Sequence, residues 1–344
     1  IVLDEAHEIR NKKSKLFKSV NRIKAEIKWI VTGTPVFNSM EDFVSLCAFL
    51  GIDKSMVQGM TNKIQDIYIL RRTKDDLAKI SERLRLPDCH FENIELDMFP
   101  DERQLYELVF QDAQDTIREA FKYAISLNSK NMVILECLLR ARQCMIWPQM
   151  YLDGMAKKNG TKAEEWVGRS NKMETLFRMI KSHPDEKSLV FCQFRGERDY
   201  IQKNVERPIF RIDGSVPKDE RDNQVTAFKK APPGSVFIIQ IKSGGQGLNL
   251  QEATRVYITG PSWNPATELQ AVGTGQTKSV YVKKLIYRET DTFVSVEEEM
   301  MALQGHKSIV CSKVLNDERI EKQIPVKRTT EKISILDIKK IFKA

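Results

Sequence analysis

A chain of 344 residues, 41% apolar and 30% charged, is long enough for two buried cores and needs no disulfide or metal staple. Its 55 Lys+Arg against 47 Asp+Glu give a net charge of +8, which permits a polyanionic partner without requiring one. Charges interrupt every apolar run before the roughly 18–20 residues of a membrane helix, so no membrane partner is expected. Six singly placed cysteines (Cys47, Cys89, Cys137, Cys144, Cys192, Cys311) form no C-x-x-C pair, which points to reduced, buried thiols in an intracellular protein. Residues 301–344 hold ten Lys+Arg and five Asp+Glu, so +5 of the +8 lies in this tail and charge locates no binding surface in the body.

Ile1-Val2-Leu3 reads as a buried strand already under way at the first residue. With no initiator Met, the chain is expected to be a fragment. A Lys-rich amphipathic helix at about 14–26 and a second strand at Trp29-Ile30-Val31 follow, a rhythm that predicts a parallel sheet. Helices are expected at about 40–50, 101–126 and 131–147, a short strand at Ile67–Leu70, and a polar linker or surface insertion over 152–169. From about 170 the strand–helix alternation is regular. Strands are expected at Ser188–Cys192, Ile209–Ile212, Val236–Ile241, Arg255–Thr259 and Val280–Ile286, and helices at 172–181, 196–204, 217–230 and 264–272. The segment from about 291 reads as a helical, basic tail.

The chemistry lies in the loops that end these strands. Asp4-Glu5-Ala6-His7 follows the first. At the carboxyl end of a parallel strand, one carboxylate can hold Mg²⁺ through its water shell and the next can polarise a water attacking a γ-phosphate. An Asp-Glu pair alone is usually just solvated, but three further loops agree with the sharper reading. Thr32-Gly33-Thr34-Pro35 is a tight, hydroxyl-bearing turn placed to sense a nucleotide near Glu5. Ser243-Gly244-Gly245-Gln246-Gly247-Leu248-Asn249-Leu250 lets backbone approach a phosphate or a DNA strand closely. Trp263-Asn264-Pro265 opens a helix carrying Gln270, with Gly275-Gln276-Thr277 beyond.

In order and spacing these segments resemble the Swi/Snf family of superfamily-two helicase-like ATPases, the DNA translocases of chromatin remodelling. Asp4–His7 with Ile9-Arg10-Asn11 is similar to the family's Walker B (DEAH-type) box, and Thr32–Pro35 with Asn38 to its third motif. Arg71-Arg72-Thr73-Lys74, then Arg140, Arg142, Gln143, Cys144 and Pro148, resemble the segments that join the lobes. Phe191-Cys192-Gln193-Phe194 resembles motif four, Ile212–Ser215 with Arg221 and Phe228 the next block, Ser243–Leu250 motif five, and Trp263 through Gln276 motif six. Phrases such as Pro232-Pro233-Gly234-Ser235 and Gln304-Gly305-His306-Lys307 resemble homologues from large nucleocytoplasmic DNA viruses, which would place the protein in the nucleus, viral factory or virion.

The resemblance implies an α/β protein of RecA-like parallel-sheet lobes with helices on both faces. The expected divisions are the end of a first, ATP-binding lobe over 1–75, a helical joining region over 76–169, a second lobe over 170–290 and a basic helical tail over 291–344. ATP and Mg²⁺ are the implied cofactors of the intact parent. Asp4 would hold the metal, Glu5 and Gln270 would serve catalysis, and His7, Thr32, Gly33, Thr34, Gly245 and Gly247 would couple nucleotide state to DNA grip. Lys242, Asn249, Trp263 and Asn264 would touch duplex DNA, the implied partner. The missing N-terminal part of the first lobe is a second implied partner, and protein partners are unknown. His7 is expected to hydrogen-bond between motifs.

The sequence also departs from the family. No G-x-x-x-x-G-K-[ST] occurs in the 344 residues; the family places that phosphate cradle upstream of the Asp-Glu box. Gln270-Ala271-Val272-Gly273 runs directly into Thr274-Gly275-Gln276-Thr277, where the family has a segment with two arginines. An arginine finger is worth about 10³–10⁵ in rate, so a genuine deletion would cripple hydrolysis, whereas residues lost from the sequence would leave an active parent. Gln240-Ile241 stands in place of a small hydroxyl residue, and Gly260 in place of an acid. Three functions therefore compete: part of a DNA-dependent ATPase, a non-hydrolysing nucleic-acid-binding or regulatory remnant, and a protein-interaction module.

Overall fold

The computed structural model describes residues 1–36, 39–59, 61–72, 74–82, 87–123, 126–241, 248, 250–262, 278–302, 305 and 339–343. Two compact units are formed, one chiefly by Ile1–Arg85 and one chiefly by Leu86–Ser262 and Thr267–Met300.

In the smaller unit, β1 (Val2–Leu3) and β2 (Trp29–Ile30) form a parallel pair in which Val2 faces Trp29 and Leu3 faces Ile30. Between them, α1 (Lys15–Asn21) starts at Ser14, whose hydroxyl accepts the Phe17 N–H at 3.0 Å. Helices α2 (Met40–Phe49), α3 (Lys54–Gly59), α4 (Thr61–Tyr68) and α5 (Lys74–Ile80) follow. Buried Ala6, Ile9, Phe17, Leu46 and Phe49 form one apolar cluster, and Val36, Phe43, Val44, Val57 and Ile64 a second. The strand expected at Ile67–Leu70 is not formed: Ile67 and Tyr68 end α4. Four apolar residues carry too little periodicity to separate strand from helix.

The larger unit is a six-stranded, all-parallel sheet in the order β3-β8-β7-β4-β6-β5. In chain order its elements are β3 (Cys89–Leu96), α6 (Pro100–Lys122), α7 (Leu127–Ile146), α8 (Pro148–Asn159), α9 (Asn171–Ser182), β4 (Lys187–Cys192), α10 (Arg195–Asn204), β5 (Ile209–Ile212), α11 (Lys218–Lys230), β6 (Val236–Gln240), β7 (Ala253–Ile258) and β8 (Val280–Tyr287). The central strands read as nearly unbroken apolar runs because both faces are buried. Leu189, Phe191, Phe237, Ile239, Val256, Ile258 and Val282 pack with Phe228 of α11 in one core.

Two elements of this unit differ from expectation. β3 lies at the sheet edge beside β8, in a stretch expected to be helical. The polar stretch begun at 152 is helical as far as Asn159. Pro148 occupies the first turn of α8, and Gly160, at φ 67°, ends it in the left-handed conformation that glycine adopts without strain. Helix continues over 296–302 at the start of the tail. The expected helix at 264–272 lies outside the described residues.

Candidate functional site

In the smaller unit, the carboxyl ends of β1 and β2 bring the two leading loops together. Val31 N–H donates to Leu3 O at 2.8 Å and Ala6 N–H to Val31 O at 3.0 Å, so the Asp-Glu turn is stitched directly to the strand carrying Thr32. Asp4 is exposed, and its Oδ1 accepts the Glu5 N–H at 2.9 Å. Glu5 itself sits at φ 49°, ψ 43°, a left-handed conformation that costs a non-glycine residue about 1–2 kcal/mol. Such strain concentrates where a side chain must be aimed. The carboxylate it aims is 37% exposed and lies 3.3 Å from His7 Nδ1.

His7 is buried and forms the hub. Its Nδ1 is also 3.2 Å from Thr32 Oγ1, and its Nε2 is 3.6 Å from Glu8 Oε1. Thr32 Oγ1 in turn accepts the Thr34 N–H at 3.1 Å, and the His7 carbonyl accepts from Arg10 Nη1 at 3.0 Å. His7, Thr32 and Thr34 thus belong to one hydrogen-bonded unit with the Glu5 carboxylate beside His7, and Gly33 lies at the bend of the turn. The donor set fits a magnesium ion held by one exposed carboxylate through water better than a closed protein cage. Among the described residues no three His, Cys, Asp or Glu side chains cluster to hold a metal. Asn38 lies outside the described residues.

In the larger unit, all the strands point one way, so the ends of β4, β5 and β7 present their loops on one side of the sheet. Glu197 at the start of α10 is buried. Its Oε2 accepts the Gln193 and Phe194 N–H groups at 2.8 and 3.1 Å, and its Oε1 takes the Thr259 hydroxyl. Burial pushes its carboxyl above the ordinary value despite those bonds. At the end of β5, buried Asp213 pairs with Arg198 and accepts the Ser215 N–H at 2.8 Å. Burial raises its carboxyl, but the Ser215 bonds and the Arg198 charge prevail and hold it below the usual range.

At the end of β8 the Lys172 ammonium pairs with Glu297, their side chains 0% and 2% exposed. Glu297 Oε2 also accepts the Tyr287 N–H at 3.0 Å, and Tyr287 Oη donates to Glu102 at 2.6 Å. Burial pulls the Lys172 ammonium down against the raising effect of Glu297. A Cβ on Gly260 would stand 2.8 Å from Glu297 Oε1, so the carboxylate of Glu297 occupies the space a side chain at 260 would need.

Sequence reading identified the Asp4–His7 and Thr32–Thr34 loops but missed Glu102, Lys172, Glu197 and Glu297 as buried polar anchors. Glu102 and Glu197 had a signal, each standing at the third position of its helix, where a carboxylate caps the helix start. Gln270, Lys242, Gly245, Gly247, Asn249, Trp263 and Asn264 lie outside the described residues.

With this geometry in place, residues 1–150 match the SNF2-related domain family and residues 171–274 the helicase conserved C-terminal domain family. The chain is similar to the ATP-dependent helicase fft1 of Schizosaccharomyces pombe, 26% identical across 94% of this chain and 40% of that protein. It is also similar to the mouse SWI/SNF-related matrix-associated actin-dependent regulator of chromatin subfamily A member 1, 28% identical across 94% of this chain and 32% of that protein. The chain spans well under half the length of these relatives. Among solved structures, the Sulfolobus solfataricus SWI2/SNF2 ATPase core domain is 26% identical over 96% of this chain and 71% of that one, with a TM-score of 0.50. The same core in complex with double-stranded DNA is 24% identical over 96% and 73%, with a TM-score of 0.51. The fold is therefore the parallel-sheet α/β fold of the RecA-like lobes of SNF2 ATPase cores.

Proposed function

We propose that these residues form part of a DNA-dependent ATPase that moves on duplex DNA, with ATP and Mg²⁺ as cofactors. The observation that carries this reading is the grouping of Glu5, His7 and Thr32 at the ends of two adjacent parallel strands, in a chain whose residues 1–150 match the SNF2-related domain family and whose residues 171–274 match the helicase conserved C-terminal domain family. Magnesium bound at Asp4 would neutralise developing phosphate charge. Glu5, held in its left-handed turn, orients and polarises the attacking water. His7 keeps that carboxylate in register and ties it to Thr32, so a shift of the Thr32–Thr34 turn reaches Glu5 through a single side chain. Gln270, Gly245 and Gly247 would act with these in coupling, and Lys242, Asn249, Trp263 and Asn264 on the DNA. Sequence-independent backbone contacts serve a motor that must bind every sequence it crosses. The duplex-bound Sulfolobus core supports duplex DNA as the partner.

The divisions at 75, 169 and 290, an upstream part of the first lobe as a structural partner, and a viral source with nuclear or viral-factory location belong to this proposal. They are supported by the quoted motifs and phrases. A second reading, a non-hydrolysing nucleic-acid-binding remnant, is favoured by the direct passage from Gly273 to Thr274. Steady-state ATP turnover with and without duplex DNA, on this chain and on the complete gene product, separates the two. DNA-stimulated turnover by the complete product supports the motor. DNA retention at low salt with no turnover in either supports the remnant.

A further inference from the structure

The segment Thr259–Ser262 leaves the end of β7 and continues in sequence into Trp263-Asn264-Pro265. Its carbonyls are gripped from two separate elements. Gln193 Nε2, at the end of β4, donates to Gly260 O at 2.7 Å and to Pro261 O at 2.8 Å. Arg142 Nη2, from α7, donates to the same Pro261 O at 3.0 Å. One amide nitrogen has two N–H groups and so serves both carbonyls, while the guanidinium adds a charge-assisted bond to the second. One further anchor holds the start of the segment, where the Thr259 hydroxyl donates to buried Glu197, and the Glu297 carboxylate leaves no space for a side chain at 260. Carbonyls in a loop at a strand end ordinarily turn to water. Here they are held by donors 67 and 119 residues away in the chain.

We propose that Gln193 and Arg142 are positioning residues, a carbonyl clamp that fixes Gly260 and Pro261 where the chain leaves β7. The clamp ties helix α7 to the loop that leads in sequence to Trp263 and Asn264, the residues proposed above to touch DNA. This role rests on the DNA-dependent ATPase reading; the clamp geometry does not.

The test uses the complete gene product and its Gln193→Ala, Arg142→Met and Arg142→Lys variants. Hydrogen exchange is read in the peptide covering 259–263, and ATP turnover with duplex DNA is resolved into kcat and KM. Loss of a net hydrogen bond predicts about tenfold faster exchange at the Gly260 and Ser262 amides in the Ala and Met variants. Exchange in β4 and β7 stays unchanged, which establishes that the fold is retained; should Arg142→Met fail that check, Gln193→Ala carries the test. Misplacement of the loop predicts a loss of about tenfold in DNA-stimulated kcat with KM for ATP within about twofold, largely restored by Arg142→Lys. Unchanged exchange over 259–263 overturns the clamp. Faster exchange with normal DNA-stimulated kcat overturns its positioning role and leaves a purely structural contact. If the unaltered protein shows no DNA-stimulated turnover, the ATPase reading fails and the positioning role falls with it, while the exchange data still decide the geometry.

Discussion

Replacing Lys172 by Met should destabilise the larger unit severely, and the structure fixes how much. The Lys172 ammonium is fully buried and faces Glu297, which is almost as deeply buried. Removing the ammonium leaves a carboxylate whose remaining partner in the immediate network is the Tyr287 N–H at 3.0 Å. Breaking a buried pair in this one-sided way costs about 3–5 kcal/mol. With an urea slope of about 2 kcal/mol per molar, the unfolding midpoint falls by about 1.5–2.5 M. The assay is urea denaturation of the full chain, followed by the fluorescence of Trp147, whose ring stacks on Tyr200 at 3.9 Å within this unit. In the double variant Lys172→Met/Glu297→Gln, a neutral amide can still accept the Tyr287 N–H and no charge is stranded, so more than half of the loss should return. A midpoint shift below about 0.3 M for Lys172→Met, or a double variant no better than the single one, would refute the reasoning.

Gly260→Ala pushes a Cβ to within 2.8 Å of Glu297 Oε1 and should cost about 1–3 kcal/mol, read as a lower thermal midpoint. Glu5→Gln should lower DNA-stimulated turnover by at least about 10²-fold in the complete product while the circular dichroism spectrum is unchanged, since it removes a base and keeps the shape. Thr32→Val deletes one partner of His7 and should lower stability by about 1 kcal/mol and reduce DNA stimulation more than ATP affinity. Asp213 titrates below its unfolded value of 3.8 in the fold, so its contribution is complete above that pH and is lost as pH falls through the lower, folded value. Asp213→Asn should therefore be less stable than the unaltered chain at pH 5, and the gap should narrow as pH approaches 3, measured as urea midpoints along the series.

Much of this architecture is legible in the sequence where burial on both faces makes a strand a continuous apolar run, as in Leu189–Cys192 and Val236–Ile239. The edge strand Cys89–Leu96 escapes because all but Cys89, Ile94 and Leu96 are exposed, and its polar residues read as surface. Helix α8 escapes for the opposite reason: Asp153, Lys157 and Lys158 look like linker, although Pro148 and Gly160 mark its two ends. The Asp4–His7 and Thr32–Thr34 loops are legible because chemistry at the end of a parallel strand needs those side chains within a few residues of each other. Lys172 with Glu297, and Arg142 with Pro261, are 125 and 119 residues apart and meet only once the sheet is closed. Gln193 stands inside a recognisable motif, yet nothing in Phe191–Phe194 announces that its amide will hold the carbonyls of Gly260 and Pro261.

Glu5 is proposed to serve a nucleotide hydrolysis that duplex DNA controls. The most direct measurement is steady-state ATP turnover by the complete gene product, with and without duplex DNA, for the unaltered protein and for Glu5→Gln. The expected result is turnover that duplex DNA raises and that Glu5→Gln abolishes under both conditions. Turnover indifferent to DNA, or a Glu5→Gln protein that hydrolyses ATP normally, would contradict it.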